Sequence, residues 1–251
     1  MTPWEAVAIF AAGVGAGGIN AVVGSGSLIT FPTMVAMGMP PIVANVSNNI
    51  GLVPGSFTSV LGYRAELKGQ RERLMRLGTA SVLGSLVGGV LLLFLPASTF
   101  DMVVPVLIGM SCVLVVVQPK LNRWLSARRK DVHPNGGPWL WLGVLAAGIY
   151  GGYFGAAQGV LLIGLLGSVL DEDLQRVNAA KNVLALLVNG AAAVLFVFVA
   201  EVDWRGVALV ALGAAIGGFF GARVGRRLPA PVLRGVVVCV GVVAIVKLVY
   251  A

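Results

Sequence analysis

The sequence predicts an all-α polytopic membrane protein made of two inverted-topology repeats, each with about four full spans plus a short broken or re-entrant helix. Three observations lead to this fold class. The 251 residues are 58% hydrophobic and 11% charged, with a mean hydropathy of +0.94, a composition that a water-soluble domain does not carry. Apolar stretches long enough to cross a bilayer recur along the chain. A glycine-rich break followed by a polar motif occurs once in each half.

The N-terminal repeat, residues 1–119, is predicted to hold four spans and one short segment. The spans cover about 4–23, 42–62, 75–95 and 101–118, and the short segment covers about 28–38. The first five residues lack the basic region that opens a secretory signal, so we expect the first apolar stretch to remain as a span.

The C-terminal repeat, residues 138–251, follows a basic cytoplasmic linker at 120–137 and repeats this order. Each short segment can cross only about half to two-thirds of the hydrocarbon layer. The sequence leaves open whether the short segments are tilted spans or arms of re-entrant hairpins. The second set of spans covers about 138–154, 178–200, 205–222 and 232–250, with the short segment at about 160–170.

The basic residues predict the orientation of the chain in its membrane. Sixteen of the eighteen Lys and Arg residues fall on one side, which should be the cytoplasm, so we expect both termini outside. The loop at 63–76 is basic, whereas the equivalent loop at 201–205 is acidic, which predicts that the two halves are inverted. Because the charges lie in short loops, the net charge of +8 indicates topology and not nucleic-acid binding.

Each half carries a glycine-rich break and, about twenty residues later, a polar island within apolar sequence. The first break is 24–27 (GSGS) and the second is 155–159 (GAAQG). The first island is 44–49 (ANVSNN) and the second is 177–182 (VNAAKN). Polar breaks at matching points of two membrane repeats are typical of the substrate site of a secondary transporter.

We expect the two islands to meet near the repeat interface and to form a donor-rich, positively charged pocket for a small anion. Helix N-termini beside a break expose N–H groups that attract anions, the amides and hydroxyls donate hydrogen bonds, and Lys181 supplies charge. The candidate substrate-binding residues are Asn20, Ser25, Ser27, Asn45, Asn48, Asn49, Gln158, Asn178, Lys181 and Asn182. No catalytic, cofactor or metal site is predicted.

Each of these features also has a purely structural explanation. The breaks could reflect close helix packing, and the asparagines could join helices by hydrogen bonds within lipid. Lys181 lies only five residues past Arg176 and could extend to the cytoplasmic surface. The small-residue faces would also permit a homodimer.

Several stretches together carry a resemblance to a known family. They are residues 17–32 (GGINAVVGSGSLITFP), 38–41 (GMPP) and 148–155 (GIYGGYFG), together with the two islands. These stretches resemble the sulfite exporter TauE/SafE family of membrane permeases, and the resemblance covers nearly the whole chain. It implies an inner-membrane permease with about eight spans for sulfite, sulfonates or other small organic anions, without catalytic activity.

The leading hypothesis is a secondary-active transporter of a small anion, sulfite or an organosulfonate, that works by alternating access around a midplane site. An anion channel with the same donors is one alternative, and a non-transporting scaffold or complex subunit is another. An intramembrane enzyme is disfavoured because the predicted spans carry no paired carboxylates, Ser/His pair or spaced histidines. The expected partners are the anion and the lipid bilayer, not nucleic acid.

Overall fold

The computed structural model describes residues 1–127, 135–224, 235 and 238–243 of the chain. Most of the predicted last span at 232–250 and part of the linker lie outside these residues. The described residues form the helices α1 (Pro3–Val22), α2 (Ser27–Ala36), α3 (Pro41–Gly62), α4 (Arg71–Phe94), α5 (Ala97–Ala127), α6 (Pro138–Tyr153), α7 (Gln158–Val169), α8 (Leu174–Val199) and α9 (Trp204–Val224).

The helices confirm the predicted all-α membrane fold. Five of those described, α1, α4, α5 up to Lys120, α8 and α9, are long and apolar enough to cross a membrane. The predicted short segments are also helical, as α2 and α7. Helix α5 continues past the predicted end at 118 to Ala127, because charged residues end an apolar pattern without ending a helix.

Local sequence explains where several helices begin. Proline occupies the first position of α1, α3 and α6, where its fixed φ suits the helix and its missing N–H costs nothing. The side chains of Thr2 and Glu5 form a reciprocal capping box at the start of α1, which satisfies two N–H groups that the helix leaves free.

Helices α1 and α2 form a helical hairpin, and α6 and α7 form a second one. A Cβ on Gly15 would lie 4.0 Å from the side chain of Ile29, and Gly26 at the start of α2 packs against α1 near Asn20. In the second hairpin, Gly143 lies beside Leu165. The short helices are therefore the returning arms of two hairpins, and the breaks form the hairpin tips.

The two halves are interlocked, because the first helix of each half packs on the fourth helix of the other half. Helix α1 packs on α9, and α6 packs on α4. A Cβ on Gly13 would lie 3.1 Å from the carbonyl oxygen of Val210, and one on Gly148 would lie 2.9 Å from that of Ser81. Small residues thus let the helix backbones approach closely, as membrane helices without a hydrophobic drive to associate require.

Helices α3 and α8 run antiparallel at the centre of the molecule. At one end, Gln70 after α3 donates a hydrogen bond of 3.1 Å to the carbonyl of Arg176 near the start of α8. At the other end, the N–H of Asp203 after α8 donates to the hydroxyl of Ser47 near the start of α3, at 2.9 Å. The starts of α4 and α9 therefore lie at opposite ends of the molecule.

Equivalent helices of the two halves run in opposite directions. Helix α1 is parallel to α9, because Gly13 and Gly17 contact Val210 and Ala214 in the same order along the chain. Helix α6 is parallel to α4, in which Gly84 and Gly88 contact residues 145–149 and 149–153. An inverted repeat requires this arrangement. The full repeat stays a prediction, because the last span of the second half, at 232–250, is mostly undescribed.

The outer surface of the bundle is apolar and carries aromatic residues at helix ends. Phe94 and Phe198 are 81% and 83% exposed, as side chains facing lipid would be. Trp4, Trp139 and Trp204 are exposed in the first turn of α1, α6 and α9, where indole rings anchor helices at the membrane–water interface.

Candidate functional site

The two hairpin tips touch each other inside the bundle. Gly24 and Gly155 both have a positive φ, of 87° and 74°, which lets each chain reverse direction. The N–H of Gly159 donates a hydrogen bond of 3.1 Å to the carbonyl of Gly24. A Cβ on Gly24 would lie 2.5 Å from the Cα of Gly159, so any larger residue here would force the tips apart.

A small polar cavity lies beside this contact and draws its walls from both halves. Its volume of about 20 Å³ holds about one water molecule. Amide, hydroxyl and ammonium groups converge on it between α1, α3, α7 and α8. The lining residues are Asn20, Gly24, Ser27, Ser56, Ser59, Gly155, Gln158, Gly159, Lys181, Asn182, Ala185 and Asn189.

Lys181 is the charged residue of this cavity, and its side chain is fully buried. Its Nζ donates to the carbonyls of Asn20, at 2.7 Å, and Ala21, at 3.5 Å. These carbonyls belong to the last turn of α1, where a helix leaves C=O groups unpaired and carries its negative dipole end. Within the described residues no carboxylate pairs with Lys181. A buried cation is therefore compensated by a helix terminus and remains next to the cavity.

The two asparagines of the second island bind the same helix end. The amide nitrogens of Asn178 and Asn182 lie 3.0 and 3.3 Å from the carbonyl oxygen of Ala21. Three side chains of α8 thus cap α1, in agreement with the idea that asparagines join helices in lipid. Asn182 and Lys181 also face the cavity, whereas Asn178 does not line it.

The first island makes an equivalent cap in the other half. The amide of Asn45 donates a hydrogen bond of 2.9 Å to the carbonyl of Tyr153, the last residue of α6. Asn48 accepts a hydrogen bond from the hydroxyl of Thr30 on α2. Asn49 is also buried, and its Oδ1 meets no hydrogen-bond partner within the residues that the structure describes. The first island therefore ties the α6 end and α2 to α3.

The expectation that both islands meet in one pocket needs correction. None of Asn45, Asn48 and Asn49 lines the cavity that contains Lys181. The reason is the antiparallel packing of α3 and α8, since each island lies near the start of its helix and the two starts are at opposite ends. The segments that meet at the centre are the two glycine-rich breaks, 24–27 and 155–159.

The breaks offer fewer free N–H groups than the sequence predicted. The Oδ1 of Asn20 accepts the N–H of Gly26 at 2.6 Å, which caps the start of α2. The N–H of Gly159 is bonded to Gly24. The side-chain donors Ser25 Oγ and Gln158 Nε2 are instead buried and find no partner in the described part of the chain. Gln158 and Ser27 line the cavity.

The sequence analysis missed three polar residues of the cavity: Ser56, Ser59 and Asn189. The amide of Asn189 on α8 donates a hydrogen bond of 3.3 Å to the hydroxyl of Ser56 on α3. Ser56 and Asn189 each lie eleven positions after the first asparagine of their island, Asn45 or Asn178, which is about three helical turns and therefore the same helix face. That matched spacing was a signal that could have found Ser56 and Asn189, but not Ser59.

The fold and site together define a polytopic helical membrane protein with a polar cavity at the tips of two opposed hairpins. The sulfite exporter TauE/SafE family model matches residues 9–248, and the chain belongs to that family. It is 27% identical to the "Probable membrane transporter protein YfcA" of Escherichia coli over 94% of this chain and 86% of the relative. It is 24% identical to a "Probable membrane transporter protein" of Haemophilus influenzae over 96% of this chain and 93% of the relative. No solved structure matches the chain.

Proposed function

We propose that this protein is a secondary-active transporter of a small anion, sulfite or an organosulfonate, with the tip cavity as its binding site. Family membership and the names of the relatives make it a membrane transporter. The finer assignment depends chiefly on Lys181, a buried cation without a carboxylate partner among the described residues. A positive charge that only helix-end carbonyls compensate, beside neutral donors, favours a negatively charged guest.

The contacts around the cavity support alternating access more than a permanent pore. The cavity measures only about 20 Å³, so we expect the surrounding helices to separate when an anion enters. The two hairpins approach from opposite ends of the molecule and touch at Gly24 and Gly159. Movement of one hairpin at a time would expose the cavity first to one side and then to the other.

The proposed location is the bacterial inner membrane, with both termini outside. Gln70 and Arg73 at the start of α4 contact Glu172 and Arg176 at the start of α8, so two of the regions predicted to be cytoplasmic lie on one side. In this orientation the second island lies near the cytoplasmic end and the first island near the outer end.

A scaffold is the second candidate, and one observation favours it. Asn45, Asn178 and Asn182 all donate to backbone carbonyls at helix ends, as residues that only hold helices together would do. A scaffold role does not explain why an ammonium group is buried where a neutral amide would cap the helix equally well.

Thermal unfolding of the purified protein in detergent tests the proposed function. We expect sulfite or a small sulfonate such as methanesulfonate or taurine to raise the unfolding midpoint by mass action, and acetate at equal ionic strength to raise it less. Replacing Asn182 by Ala should reduce the response. If sulfite, methanesulfonate and taurine raise the unfolding midpoint no more than acetate does, the cavity is not an anion site and the scaffold assignment is preferred.

A further inference from the structure

Each half has a side-chain amide beside its glycine-rich break, but the helix that carries this amide differs between the halves. Asn20 stands on α1, four residues before Gly24, whereas the residue four before Gly155 is Gly151. The first residue of the short helix differs in the opposite sense, because α7 begins with Gln158 whereas α2 begins with Ser27. A Cβ on Gly151 would lie 2.5 Å from the Cδ and Oε1 of Gln158. The amide of Gln158 therefore occupies the space that Gly151 leaves open.

These two amides differ in their hydrogen-bond partners. The Oδ1 of Asn20 holds the N–H of Gly26, so this amide serves the structure of its own hairpin. The Nε2 of Gln158 has no partner among the described residues, although Gln158 is only 3% exposed. An unpaired buried donor is costly, and such a group in a cavity wall indicates a missing acceptor.

Gln158 and Lys181 line the same cavity, but Lys181 already bonds the end of α1. We propose that Gln158 selects the substrate by donating its Nε2 hydrogens to an oxygen of the anion, and that Gly151 keeps the space in which this amide stands. This inference rests on the proposed anion transport and names the residue that distinguishes among anions. Because a buried donor rejects a guest that offers it no acceptor, the site favours anions that bring an oxygen within reach of Nε2.

The test is a double-mutant cycle on anion binding to the purified full-length protein, measured by isothermal titration calorimetry with methanesulfonate and sulfite. Gln158→Leu removes the donor and puts an apolar side chain of similar size in its place. Gly151→Ala keeps Gln158 but displaces its amide, because the three atoms nearest to the new methyl group all belong to the flexible end of that side chain. Gly190→Ala is the control, because none of the described residues lies within 4 Å of a Cβ there.

We expect Gln158→Leu to bind the anion about 10- to 100-fold more weakly, which is the usual effect of losing one hydrogen bond to a charged group. Gly151→Ala should weaken binding in the presence of Gln158 and have no further effect in Gln158→Leu, and Gly190→Ala should bind as the wild type does. Unliganded unfolding midpoints check that each variant is folded.

Three results would overturn the inference in distinguishable ways. If the wild type binds methanesulfonate or sulfite and Gln158→Leu binds it equally well, the selecting role of Gln158 is wrong while the anion site stands. If the wild type binds neither anion, the proposed function fails and this inference fails with it. Equal effects of Gly151→Ala with and without Gln158 would also contradict it, because the glycine would then act on something else.

Discussion

At the scale of single residues, Lys181 is the feature that most needs a functional reason. Its ammonium group is fully buried and bonded to two carbonyls at the end of α1. Taking a charge out of water costs several kcal/mol unless it is well compensated, and a helix end compensates it only in part. The first island has the neutral Asn48 at the matching position. The site is therefore charged in one half alone.

Replacing Lys181 by Met should separate stability from binding. The unfolding midpoint should stay within a few degrees of the wild type or rise, because an apolar side chain of similar volume often replaces a buried charge without loss. The stabilisation by sulfite or methanesulfonate should disappear. Lys68→Met in an exposed loop is the control and should respond to anions normally. Full stabilisation of Lys181→Met by the anion would show that this charge takes no part in binding.

Gly24 and Gly38 form a matched pair for testing the tip contact. Both have φ near +88°, but a Cβ on Gly24 meets the backbone of Gly159 whereas nothing lies within 4 Å of a Cβ on Gly38. Gly38→Ala should cost about 1–2 kcal/mol, the price of left-handed backbone for alanine. Gly24→Ala should cost clearly more, because it adds a backbone overlap. Denaturant unfolding in detergent measures both, and equal losses would mean that the tips are not in tight contact.

At the scale of elements, the contact between two loops fixes the starts of α4 and α8 next to each other. Glu172 lies between Arg73, at 3.0 Å, and Arg176. Gln70 reaches from the same loop to the start of α8. Because α4 and α8 also pack along their lengths, this loop contact sets the end from which the α6–α7 hairpin approaches the cavity.

The loop contact predicts a pH dependence of stability. The hydrogen bond from Arg176, together with that from Arg73, holds the pKa of the Glu172 carboxyl below its ordinary value of 4.5. The ionised form is thus favoured in the folded state, so its contribution is complete above the ordinary pKa and is lost as the pH falls through the lower folded-state pKa. Glu172→Gln should lower stability at pH 7 and flatten the decline in acid. An unchanged acid profile would show that the contact contributes nothing.

At the scale of the whole molecule, the two hairpins point toward each other, and each packs against helices of the other half. This arrangement accounts for a site at the centre of the bundle. Each hairpin begins with a helix held in its partner half, α1 on α9 and α6 on α4. The tips then meet near the middle, and α3 and α8 cross beside them at Ser56 and Asn189. Because each hairpin packs on the other half, the site between the tips is formed by residues of both halves.

The predicted orientation can be tested by cysteine labelling in intact cells. In a protein whose Cys112 and Cys239 are replaced by Ala, Glu201→Cys should react with a membrane-impermeant maleimide. Lys68→Cys should react only after the cells are permeabilised, because the basic loops stay in the cytoplasm. Both positions are exposed. The reverse pattern would invert the topology, and equal labelling would refute a two-sided arrangement of these loops.

Sequence patterns predicted the individual helices and polar motifs better than the contacts between them. The breaks, the short helices and the two islands follow from glycine content and local polarity, and the described helices match them. The contact of Gly24 with Gly159 and the bond from Asn45 to Tyr153 join residues more than a hundred positions apart, so no local pattern contains them. Asn189 was missed because a single polar residue in an apolar span resembles a packing residue.

The most direct test of the account is counterflow in proteoliposomes that contain the purified protein. Vesicles preloaded with unlabelled sulfite or methanesulfonate are diluted into the labelled anion, and its entry is followed for the wild type and for Lys181→Met. A transporter with a binding site at the hairpin tips predicts saturable entry, stimulated by the anion inside, in the wild type and not in Lys181→Met. Entry that does not saturate and ignores the internal anion would indicate a channel, and no entry for the wild type, or equal entry for both proteins, would contradict the proposed site.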